Sequence, residues 1–64
     1  MSDGAPDPLG KLIHDLRSPL MVAEGFAQLL ARDDGSLSAE QRADFAKRIE
    51  SAMADMRALL DAAR

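Results

Sequence analysis

The sequence predicts an all-α fold: an antiparallel helical hairpin that dimerises into a four-helix bundle. Three observations carry this. Apolar residues recur at spacings of three and four in two separate stretches. A short segment rich in Asp, Gly and Ser divides them, and no alternating strand pattern competes. Each apolar stripe is too broad for one partner helix to cover, and pairing two hairpins puts both stripes into a common core.

Residues 1–6 hold Gly4 and Pro6 without apolar periodicity and read as a flexible N-terminal tail, with the folded domain spanning 7–64. Asp7-Pro8 is a helix start: Asp accepts from free amides, and Pro suits the first helical position. From there Leu9, Leu12, Ile13, Leu16, Leu20, Ala23, Phe26, Ala27 and Leu30 form one stripe, predicting a helix over about 7–33. Asp33-Asp34-Gly35 should end it, with Gly35 in the left-handed C-terminal position, and 34–37 should form the turn.

Ser38-Ala39-Glu40-Gln41 fits a capping box, so a second helix is predicted over about 38–63. Its stripe is Phe45, Ile49, Ala52, Met53, Met56, Leu59, Leu60 and Ala63, and Asp44 can pair with Arg48 one turn on. The short connection makes the helices antiparallel neighbours. The expected dimer core is Leu9, Leu12, Leu16, Leu20, Ala23, Ala27 and Leu30 from the first helix, and Phe45, Ile49, Ala52, Met56 and Leu59 from the second.

Composition narrows the function classes. A chain of 64 residues holds at most one domain, and a core this small is marginal without a disulfide, a metal or a partner. There is no cysteine, and a lone His among scattered carboxylates is a poor metal site. Oligomerisation remains. The net charge of −3 and two Phe as the only aromatics speak against a nucleic-acid surface. Short apolar runs predict no membrane contact, which points to the cytoplasm.

The segment His14-Asp15-Leu16-Arg17-Ser18-Pro19-Leu20 carries the chemistry. His14 lies roughly 140–160° around the helix from Leu9, Leu12 and Leu16, so it should face water rather than the core. Geometry alone would favour an idle surface histidine. Its neighbours change that reading. Ser18, Met21 and Gly25 fall within roughly 40° of His14 and give its face a hydroxyl, an exposed apolar side chain and a flat spot, as a docking surface needs. Asp15 can hold a proton on one ring nitrogen and leave the other a free nucleophile. Arg17 could help neutralise phosphate oxygens, although a solvated helix charge is the simpler account of it. Pro19 lacks an amide hydrogen. The stripe continues past it, which predicts a kink rather than a break.

This segment resembles the H box of histidine kinases: His, Glu or Asp, two variable positions, Thr or Asn, Pro, Leu. Gly25-Phe26-Ala27-Gln28-Leu29-Leu30 is similar to the continuation of that family's first helix. Glu40-Gln41-Arg42, Ser51-Ala52 and Leu59-Leu60-Asp61 are similar to parts of its second. From Leu9 to the C-terminus the chain therefore resembles a HisKA dimerisation and histidine-phosphotransfer domain. The resemblance implies that His14 accepts phosphate from ATP and passes it to an aspartate on a response-regulator receiver domain. Asp15 would be the acid or base, and Met21 and Gly25 would lie where the regulator docks. Ser18 would occupy the water-orienting, phosphatase position, where Ser departs from the usual Thr or Asn. The implied partners are a second copy of the chain, the receiver domain and a histidine kinase ATP-binding domain. Gly4, Gly10, Gly25 and Gly35 are too scattered to cradle phosphates, so no cofactor is expected on this chain, and ATP belongs to a separate catalytic domain. The chain alone is then not an active kinase. The competing expectation is a non-catalytic binding protein that pairs with or inhibits a histidine kinase, or competes for its regulator.

Overall fold

A computed structural model describes residues 7–63, which form two 24-residue helices, α1 (Pro8–Ala31) and α2 (Ala39–Ala62). The expected tail, 1–6, lies outside the described residues. Both helix starts follow the local chemistry. Asp7 Oδ1 accepts from the Leu9 amide at 3.2 Å, with Pro8 following. Ser38 Oγ accepts from the Gln41 amide at 3.0 Å, while Gln41 Oε1 accepts from the Ser38 amide at 2.8 Å, a complete capping box.

The first helix ends two residues before the expected boundary. Arg32 is its C-cap, and its amide donates to Gln28 O at 3.0 Å. Asp33 does not continue the helix, because its side chain organises the turn. Asp33 Oδ1 accepts from the amides of Gly35 at 2.9 Å and Leu37 at 3.2 Å. Its other oxygen lies 3.3 Å from the Arg42 guanidinium of α2. Gly35 does take a positive φ of 98°, but inside this clasp rather than directly after the helix. The Arg42 guanidinium also donates to Leu37 O at 2.9 Å, tying the connection to the start of α2.

The helices pack antiparallel. Phe26 meets Phe45 near the turn, with centroids 5.1 Å apart and rings tilted by 46°. Towards the open end, Ser18 and Pro19 lie beside Ser51, Ala52 and Asp55, and His14 and Asp15 lie beside Ala58 and Leu59. The seam is Leu12, Leu16, Pro19, Ala23, Phe26 and Leu30 on α1, facing Phe45, Ile49, Ala52, Met56 and Leu59 on α2, all half-buried except the buried Ala52. Steps of four and three alternate along both sets, the 3.5-residue repeat of a coiled-coil seam. Pro19 takes a seam position, and α1 runs through it without a break. Leu20, expected in the dimer core, lies outside this seam and is exposed on the single hairpin.

One broad stripe thus splits in two. Leu9, Ile13, Leu20 and Ala27 stay exposed on one flank of α1, roughly 60–100° from the seam centre. Met53 and Leu60 are exposed on α2, roughly 140–160° around from Asp55 and so on the flank facing away from the His14 groove. Among the described residues only Ala52 is buried, at 4% exposure. The hairpin therefore covers its seam and leaves a second apolar surface open.

Candidate functional site around His14

His14 sits two turns into α1, and its side chain is 86% exposed, on the outer side of the helix as its phase predicts. Ring Nδ1 is 3.3 Å from Asp15 Oδ1, so Nδ1–H can donate to the carboxylate. That tautomer leaves the Nε2 lone pair open to solvent, the arrangement a nucleophilic imidazole needs. The second Asp15 oxygen is 3.0 Å from Lys11 Nζ, one turn back. The Lys11 ammonium, and after it the hydrogen bond with His14, hold the Asp15 carboxyl below the ordinary aspartate value of 3.8. Asp15 is thereby kept ionised and ready to stabilise positive charge on the ring.

An open groove of about 580 Å³ runs beside this pair, with Ser18 and Pro19 on the α1 side and Asp55, Ala58 and Leu59 on the α2 side. It is roomy enough for a phosphoryl group and an approaching side chain. Towards the turn it continues past Val22 and Phe26 to Arg48 and Ser51. Arg48 is held on two sides there. Its Nε donates to Asp44 Oδ2 at 2.9 Å, the pair that the sequence spacing anticipates, and its guanidinium lies 5.5 Å from the Phe26 ring centre. Beyond the groove, Met21, Val22, Gly25, Phe26 and Leu29 form an apolar patch on the outer face of α1. Met21 is 63% exposed, and a Cβ built on Gly25 meets nothing within 4 Å.

The structure thus brings His14, Asp15, Ser18 and Pro19 to one groove and sets Met21 and Gly25 on the adjoining surface. Arg17 is not with them. It lines the apolar flank beside Ile13, Leu16 and Leu20, because three residues carry it roughly 60° around from His14. Lys11 joins the site beyond the residues expected, and its four-residue spacing to Asp15 is a legible signal for it. Asp55 joins it as well, and no local pattern in the sequence connects it to His14. Among the described residues no group of His, Cys, Asp or Glu could hold a metal ion, and no helix is long and apolar enough to cross a membrane.

Searches among curated proteins and among solved structures returned no significant match. The family model of the His Kinase A (phospho-acceptor) domain, in contrast, matches residues 9–64, both helices and the groove between them. On that match, over both helices and the exposed, acid-paired histidine, the chain belongs to the His Kinase A (phospho-acceptor) domain family.

Proposed function

We propose that this chain is the dimerisation and phosphoacceptor domain of a two-component sensor histidine kinase, with His14 as the residue that carries phosphate. The observation that carries the reading is the Asp15–His14 pair, exposed on α1 with Nε2 facing solvent. Nε2 attacks the γ-phosphorus of an ATP presented by a separate kinase domain. The new N–P bond forms as the bond to the β,γ-bridging oxygen breaks, and ADP leaves with that electron pair. Positive charge develops on the ring, and Asp15 stabilises it or takes the Nδ1 proton. In the second step the phosphoryl group passes to an aspartate oxygen of a receiver domain docked over Met21, Val22 and Gly25. Ser18 lines the same groove one turn from His14, which supports a water-orienting role for its hydroxyl.

The uncovered flank of Leu9, Ile13, Leu20, Met53 and Leu60 supports a twofold dimer with a second copy of the chain. It lies away from the His14 groove, so dimerisation leaves the histidine reachable. The charge of −3 and the groove chemistry fit a protein partner in the cytoplasm rather than nucleic acid.

Incubation with a histidine kinase ATP-binding domain and labelled ATP tests this. The expected product is acid-labile, base-stable phosphate on the chain, lost in His14→Gln while the helical circular dichroism persists. Label that survives in His14→Gln overturns the assignment. Inhibition of a partner kinase by an unlabelled chain and by His14→Gln alike would favour the non-catalytic binding reading instead.

A further inference from the structure

We propose that Asp55 is a positioning residue that raises the phosphoryl-transfer potential of phosphohistidine at His14, acting through space across the groove. This rests on the phosphoacceptor reading of His14. Asp55 comes from α2 and faces the same groove as His14, Asp15 and Ser18. Among the described residues it makes no hydrogen bond to the ring and no ion pair, so its charge is not cancelled locally.

Beside His14 the ionised groups that line the groove, Asp15 and Asp55, are both acidic. On α1, Asp15 faces it, with Lys11 engaged on one of its oxygens. On α2, Asp55 faces it, and its helical neighbours Ser51, Ala52, Ala58 and Leu59 carry no charge. The nearest cation of α2 towards the turn, Arg48, is two turns away and bound to Asp44. No Lys or Arg lines the stretch of the groove beside His14, and Arg48 lines only its continuation towards the turn, on the far side of Asp55.

A phosphoryl group on Nε2 brings a charge of about −2 into this setting. Asp55 repels it and at the same time favours a protonated, better-leaving imidazole. Both effects weaken the same bond. When the phosphoryl group leaves, the P–Nε2 bond breaks, its electron pair returns to Nε2, and an oxygen of the acceptor, either a receiver aspartate or water, takes the phosphorus. The departure of the dianion relieves the repulsion. Asp55 makes no hydrogen bond to the ring and acts through its charge.

The test uses the whole chain phosphorylated with phosphoramidate, a small donor that needs no kinase domain, and follows loss of phosphohistidine by phosphorus NMR. At low ionic strength Asp55→Asn is expected to lengthen the lifetime by about two- to fivefold, as one nearby charge in high dielectric implies. Asp55→Glu should keep the wild-type lifetime. Raising the salt to about 1 M, where the screening length falls to about 3 Å, should bring Asn and wild type together. A purely structural role would not show that salt dependence. An Asn variant that loses phosphate at the wild-type rate in low salt overturns the inference, as does a difference that persists undiminished at 1 M. A wild-type chain that takes no phosphate on His14 overturns the phosphoacceptor reading itself, and this inference with it.

Discussion

Lys11 and His14 hold opposite oxygens of one carboxylate: Lys11 Nζ is 3.0 Å from Asp15 Oδ2, and His14 Nδ1 is 3.3 Å from Oδ1. The three side chains come from a single stretch of α1, so the relay is built by helical spacing and needs no tertiary contact.

The relay predicts a graded response. Asp15→Asn keeps the shape but loses the charge that steadies the ring as phosphate is added, and phosphorylation of His14 should slow by about a hundredfold, the lower end of what a positioned acid or base supplies. Lys11→Met leaves Asp15 ionised at neutral pH and should slow it only a few-fold. Single-turnover labelling by a histidine kinase ATP-binding domain measures both. Equal losses in the two variants would mean that the carboxylate does not act on the ring.

Gly25 separates fold from docking. It lies in the interior of α1 with open space around it, so Gly25→Ala should stabilise the hairpin by about 0.5–1 kcal/mol through backbone entropy. The added methyl group also disturbs the flat spot beside Met21 where a receiver domain is proposed to settle. Thermal melts should rise while phosphotransfer to the receiver slows and phosphorylation of His14 itself stays unchanged.

The open apolar flank predicts that Ile13→Glu combined with Leu20→Glu shifts the chain from dimer to monomer in sedimentation experiments. Both side chains are about half exposed in the hairpin, so neither charge enters the seam between α1 and α2. A sedimentation profile identical to wild type would move the dimer interface elsewhere.

Asp33 predicts an acid sensitivity centred on the turn. The Leu37 and Gly35 amides, and then Arg42, lower its carboxyl from the ordinary 3.8. A group whose pKa is lower in the folded chain stabilises the fold above the unfolded value and loses that contribution as pH falls through the folded one. The Asp33 contribution should therefore be complete above about pH 5 and fade as the pH drops below 3.8. Asp15, lowered by Lys11 and His14, adds a contribution of the same sign. Melting temperatures recorded between pH 7 and 3 should fall less steeply for Asp33→Asn than for wild type.

Most of the site was legible before the fold was known. The phase of His14 relative to Leu12 and Leu16 put the ring in solvent, and adjacency alone put Asp15 within reach of it. The helix ends were legible where side chains cap within a few residues, as at Asp7 and Ser38. The end of α1 comes two residues before the boundary the sequence predicts, because the partners of Asp33 are turn amides and a guanidinium from the next helix rather than a helical neighbour.

What the sequence determined by itself was the pair of helices, their caps and the outward histidine, since all three follow from interactions spanning four residues or fewer. Only the tertiary structure decided that Pro19, not Leu20, enters the seam and that Asp55 comes to face the phosphoacceptor. Those outcomes depend on the register in which one helix slides against the other. Register is set by the summed packing of Leu12 to Leu30 against Phe45 to Leu59, and no short stretch of the chain contains that sum.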